Sequence, residues 1–168
     1  MSTRRGATLI ELVLVMMVIF TMAAVVAPRF SNFFPSLQIR SAADTMLATA
    51  GKAQADAVLT GARYRLVIDA ATKTYWIAYE PRPVKEPGKF AKLGGAWVDE
   101  ELPAGVSLRS IEGFGTDGEA RRFLEFRPDG TAKEASIVLA NESGDLRTIK
   151  ISAATGTAKI EAPEAATP

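Results

Sequence analysis

Cysteine and histidine are both absent from the 168 residues of the chain. Without cysteine there is no disulfide framework, no thiolate nucleophile and no thiolate-bound zinc or iron–sulfur site, and thiol usage says nothing about redox compartment. Without histidine the commonest general base and the commonest zinc ligand are missing, which excludes Ser–His–Asp triads, HExxH metal sites and Cys–His dyads. Carboxylates, Lys, Tyr and Ser are all that remain for catalysis, no P-loop occurs, and the chain is read as a non-enzyme that needs no cofactor. Net charge is lacking too: 20 Lys and Arg stand against 19 Asp and Glu, a balance of +1. No global field of that size recruits nucleic acid or anionic lipid, so partners have to be read from local pattern.

What the chain has in quantity is apolar residues, 48% of the total with a mean hydropathy of +0.09, in a length that holds one domain of ordinary size, or a small domain plus an appendage. Much of the excess lies in one run, Ala7 to Ala27, whose 21 positions contain a single charged residue, Glu11. As a helix the run reaches about 31 Å, close to the hydrocarbon thickness of a bilayer. Arg4 and Arg5 precede it and the bulk of the chain follows, which predicts a cytoplasmic N-terminus and an exported C-terminal part.

Three functions compete for such a segment. A cleaved secretory signal fits the basic start, the apolar stretch from Leu12 and the small-residue site Val25-Val26-Ala27. The pair Arg4-Arg5 is a weak match to a twin-arginine signal, because Gly6, Ala7 and Thr8 follow where apolar residues are expected. A plain anchor fits equally well. Both leave Glu11 unexplained, since a carboxylate at that depth costs on the order of 2 to 3 kcal/mol on insertion scales. The third reading accounts for it. Arg5-Gly6-Ala7-Thr8-Leu9-Ile10-Glu11-Leu12, followed by VLVMMVIF, resembles the class III signal of type IV pilins and of the pseudopilins of type II secretion. The resemblance implies cleavage by a prepilin peptidase between Gly6 and Ala7, methylation of the new amine on Ala7, and an assembly role for Glu11, the fifth residue of the mature chain. Pro28 falls at the twenty-second mature position, where the family tends to carry a helix-kinking Pro. The family usually begins with Phe where this chain has Ala7. In the family the Glu is thought to meet the N-terminal ammonium of a neighbouring subunit, pairing two charges that are each costly alone in an apolar medium; the bland alternative is a side chain that snorkels to the headgroups.

Pro28 and Pro35 each remove a helical hydrogen bond and predict a kink or local unwinding there, with Phe30, Phe33 and Phe34 between them at interface depth. From Ser36 the pattern becomes amphipathic, with Ile39, Ala43, Met46, Leu47, Ala50, Ala53, Ala57 and Val58 on one face and Gly61 as the stop. After Gly61 the periods shorten to strands: Arg63 to Asp69, Thr74 to Glu80, Ala96 to Asp99, Val106 to Glu112, Phe123 to Arg127, Ser136 to Asn141, Leu146 to Ser152 and Thr157 to Ile160. Turn chemistry separates them at Ala70 to Lys73, Pro128-Asp129-Gly130, Ser143-Gly144-Asp145 and Thr155-Gly156. Pro81 to Gly95 reads as a long loop. The predicted class is α+β, a long N-terminal helix packed on an antiparallel sheet or sandwich. Its divisions are a leader over 1–6, a transmembrane half-helix over 7–28, an amphipathic half over 29–61, a β domain over 62–160 and a tail over 161–168. The order Phe126-Arg127-Pro128-Asp129-Gly130-Thr131, SIVLAN, then TIKISAATGTAKI resembles the domain of H-type minor pseudopilins and their type IV minor pilin relatives.

That resemblance implies an inner-membrane subunit with a periplasmic domain, acting near the tip of a pseudopilus that exports folded proteins. Its expected partners are other minor pseudopilins, the major pseudopilin, the prepilin peptidase and the inner-membrane assembly platform. Asp99-Glu100-Glu101 with Asp117, Glu119 or Asp129 lacks the spacing of a calcium loop, and no metal site is expected. The rival function is a minor pilin that binds DNA during uptake. Arg63, Arg65, Lys85, Lys89 and Lys92 would contact phosphates, and Phe90, Trp97 or Tyr79 would stack bases. Interspersed acids weigh against it, and cleavage of the leader takes Arg4 and Arg5 from the 20 basic residues, leaving 18 against 19 acidic. Nucleic acid is therefore not an expected partner. A freestanding exported binding domain is the third alternative.

Overall fold

The computed structural model describes residues 9–30, 33–94, 99–118 and 120–161, with backbone alone at 25–30 and 33. Helix α1 runs Leu9–Phe30 and α2 runs Phe33–Thr60. Pro28 lies near the end of α1, and Pro35 sits in the first turn of α2, where its missing N–H has no helical partner to lose. The kink was expected at Pro28, with Pro35 repeating its effect; Pro28 lies within α1, and residues 31–32 between the two helices lie outside the described residues, as do the leader over 1–6, Ala7 and residues 162–168. Side chains of α1 are described from Leu9 to Ala24, and no helix among the described residues is by itself long and apolar enough to cross a membrane. The segment predicted to span, 7–28, extends beyond that stretch at both ends.

On α2, Ile39, Ala42, Ala43, Met46, Ala50, Ala53 and Ala57 are buried at three- and four-residue steps, the period of one helix face. Two of the predicted face residues depart from the stripe: Leu47 is half-buried and Val58 is exposed, because they follow the buried Met46 and Ala57 by about 100° around the helix. The predominance of Ala lets the helix axis come close to the sheets. Gly61, at φ 65°, ends the helix in the left-handed conformation that a side chain disfavours.

Among the described residues, ten strands, all paired antiparallel, form two sheets. The first has the order β3-β2-β1-β7-β6, built from β1 Tyr64–Asp69, β2 Thr74–Tyr79, β3 Ala91–Lys92, β6 Gly115–Asp117 and β7 Arg121–Phe126, and β4 Glu100–Glu101 also pairs with β2. The second has the order β10-β9-β8-β5, from β5 Val106–Glu112, β8 Ala135–Asn141, β9 Leu146–Ile151 and β10 Ala158–Glu161. One apolar core joins α2 to both: Leu66, Ile68, Ile77, Leu124 and Phe126 come from the first sheet, and Val106, Ile137, Leu139, Ile149 and Ile151 from the second.

Several expectations are corrected. The loop over 81–95 contains the short strand β3, which pairs with Ala78 and Tyr79. The strand predicted at Ala96 to Asp99 falls mostly on residues outside the described set; Asp99 itself is not in a strand, and the described pairing is β4, one residue later. Strand β6 was not predicted at all, because two- and three-residue edge strands are held by the neighbour they pair with and carry no period of their own. Glu161 was assigned to the tail but is the last residue of β10, with its carboxylate 2.7 Å from Lys150 Nζ.

Candidate functional site

Two regions carry the residues singled out above. The first is α1. Gly6 and Ala7 lie outside the described residues; Glu11 is in the first turn of the helix, among side chains that are exposed on every face from Leu9 to Ala24. A helix apolar all round cannot be satisfied by one buried stripe and needs an apolar medium or other helices about it.

The second region is the face of the first sheet turned away from α2. Strand register builds it as a lattice. Ala78, Arg65 and Glu125 lie abreast across β2, β1 and β7; Trp76, Val67 and Phe123 form the next row; Thr74, Asp69 and Arg121 form the third. Lys92 extends the first row and Asp117 the third. An apolar row thus runs between two charged ones, and all of these residues except Glu125, together with Thr72, Phe90 and Asp99, line a cavity of about 500 Å³.

The cations of this face are held by acids. Arg63 donates from Nε to Glu80 Oε2 at 2.7 Å and from Nη2 to Glu80 Oε1 at 2.6 Å, and its Nη1 reaches Glu125 at 3.4 Å. Arg65 donates to Glu125 Oε2 from Nε and Nη2 at 3.0 and 2.8 Å, with its guanidinium 3.5 Å from the ring centre of Phe90 and 4.0 Å from that of Phe123. Lys92 pairs with Asp99 and stands 5.1 Å from the Trp76 ring; Lys89 is 3.6 Å from Glu86. Arg121 Nε reaches Asp69 at 3.4 Å. Lys85 is exposed on the loop. Of the five residues assigned to a phosphate-binding patch, then, four face carboxylates, and contact with a nucleic acid would have to compete with those pairs.

Glu80 and Glu125, which organise this face, were not singled out from the sequence. Glu80 was within reach: a four-residue turn at 70–73 that pairs Asp69 with Thr74 puts residue 63 opposite residue 80. Its side chain is fully enclosed, and it also accepts a hydrogen bond from the Gly88 N–H at 2.5 Å. The Arg63 hydrogen bonds, against the opposing effect of burial and with help from the Gly88 N–H, hold its carboxyl below the usual carboxylate range. Asp69 is likewise held low: burial opposes this but is outweighed by the Thr72 and Ala71 N–H groups and Arg121.

Neither a protein-family model nor any curated protein matches the sequence. Solved structures do. The minor pseudopilin EpsH of the Vibrio cholerae type II secretion system superposes with a TM-score of 0.60 at 14% identity, over 77% of this chain and 97% of its own. Escherichia coli GspH matches at 0.58 and 17%, over 79% and 93%. The Pseudomonas aeruginosa type IV minor pilin FimU matches at 0.51 and 18%, over 77% and 92%. The fold is pilin-like, of the GspH type. These pilin-like neighbours are covered almost end to end, so the likeness extends to their whole domains and is not confined to a shared hairpin. It bears on architecture; at these identities no residue of the lattice is assigned a role by it.

Proposed function

We propose that the chain is a minor pseudopilin of a type II secretion system. The observation that carries this is the joining of a GspH-type domain to a helix whose described side chains are all exposed and apolar save for Glu11 and the hydroxyl of Thr21. Among the described residues this helix buries none of its side chains from Leu9 to Ala24, and a filament would cover them: the helices of neighbouring subunits enclose its surface, and Glu11 sets their register by meeting an N-terminal ammonium. On this reading the peptidase cuts after Gly6, Ala7 is methylated, the helix holds the subunit in the inner membrane with its domain in the periplasm, and the domain joins other minor pseudopilins and the major one.

Mass spectrometry of the mature N-terminus tests the processing: a methylated Ala7 is expected, and a start at Pro28 refutes the reading. Glu11→Gln tests the register. Filament incorporation should fall at least about tenfold, the size of a lost charge pair in an apolar medium, while membrane residence persists; undiminished assembly refutes the role. The likeness to FimU supports a second reading, a minor subunit of a type IV pilus with the same helix chemistry. Export assays and pilus counts in a deletion strain separate the two.

A further inference from the structure

Loop 81–88 is built as a rigid projection. Both ends are fastened at Glu80: its backbone N–H donates to the Arg63 carbonyl at 3.0 Å where the loop begins, and its enclosed carboxylate accepts at Oε1 from the Gly88 N–H where the loop ends. Pro81, Pro83 and Pro87 restrict its φ angles. Across its middle the Glu86 N–H donates to the Arg82 carbonyl at 2.9 Å, and the two side chains lie 3.5 Å apart as an ion pair. At the tip stands Val84, 93% exposed, the most exposed large hydrophobic among the described residues. An ordered loop that spends its hydrogen bonds and prolines holding a branched apolar side chain out in water gains nothing for its own core. It does lower the ordering cost of binding.

The geometry points to loop 81–88 as a docking knob for a different pilin-like subunit, one that offers an apolar socket for Val84 rimmed by carboxylates. The rim follows from charge, because the loop and the residue after it carry Arg82, Lys85 and Lys89 against the single acid Glu86, which faces both Arg82 and Lys89 and leaves an excess of positive charge beside Val84 in the chain. The same charge argues against a second copy of this chain, since a two-fold contact would set identical basic loops against each other. The identity of the partner as pilin-like rests on the function proposed above.

A photo-reactive amino acid at Val84 of the full chain, in cells that assemble the filament, is compared with the same group at Ser143, an exposed turn residue far along the chain. We expect an adduct at Val84 alone, with another pilin-like chain, mapping to an apolar residue flanked by Asp or Glu. Val84→Asp should lower filament incorporation at least about tenfold, and Lys85→Glu should lower it further, with melting temperature unchanged because the side chain touches little of its own subunit. No adduct above the Ser143 control, an adduct only with lipid or a second copy, or full incorporation of Val84→Asp overturns the docking knob. A chain that cross-links through Val84 to a pilin-like protein but never enters a filament keeps the knob and refutes the filament reading.

Discussion

Replacing Glu80 by Gln should destabilise the fold by about 2 kcal/mol at neutral pH, and the loss should shrink in acid. Three donors converge on the carboxylate: Arg63 Nη2 and the Gly88 N–H on Oε1, and Arg63 Nε on Oε2. The amide of Gln has one acceptor oxygen. Placed at Oε1 it keeps two of the three bonds, and its NH2 then faces the Arg63 Nε–H, donor against donor, in a position closed to water. A hydrogen bond to a charged group contributes roughly 1.5 to 3 kcal/mol; Arg63, whose side chain is 36% exposed, recovers part of that from solvent and from Glu125. About 2 kcal/mol in a domain of this size corresponds to roughly 8 °C of melting temperature. The pH dependence has a definite sign. The folded-state pKa of Glu80 is depressed, so its contribution is whole above the unfolded value of about 4.3 and is lost as pH falls through the lower folded one. Thermal melting of the detergent-solubilised full chain, followed by near-UV circular dichroism at pH 7 and pH 3, measures both effects. The reasoning fails if the variant melts within about 1 °C of the parent at pH 7, or if the gap at pH 3 is as wide as at pH 7.

Arg65→Lys keeps the charge but loses the planar group stacked between Phe90 and Phe123 and the two bonds to Glu125, so urea denaturation should show a loss of about 1 to 2 kcal/mol at unchanged m-value. Equal stability would mean that charge alone matters there. Gly156 has φ 60° and a Cβ added to it would lie 2.4 Å from the Gly130 carbonyl oxygen, whereas Gly144, at φ 87°, has open space. Gly156→Ala should therefore cost well over about 2 kcal/mol and Gly144→Ala about 1; equal costs would show that the contact between the two turns yields freely.

What the amino-acid order settles alone is whatever depends on near neighbours. The three- and four-residue spacing from Ile39 to Ala57 specifies the buried face of α2, because helical periodicity is a local property. The turn at 70–73 sets the β1–β2 register, and with it the meeting of Arg63 and Glu80. Pro128-Asp129-Gly130 and Thr155-Gly156 specify turns through chemistry confined to a few residues: Asp129 Oδ1 accepts from the Thr131 N–H at 2.9 Å, and Gly130 takes φ 82°. Contact between those two turns, held by Gln54 of α2 through the Thr155 carbonyl at 2.9 Å, is a different matter. So is the seating of β7 beside β1, which lays Glu125 against Arg65 across 60 positions. No local signal encodes such pairings; they follow from how two sheets and one Ala-rich helix share a single core. Thus Arg63 and Arg65, read in sequence as part of a run of positive charge, become partners of Glu125 in the fold, because that acid arrives on another strand, whereas Lys89 meets Glu86 three residues away on its own loop.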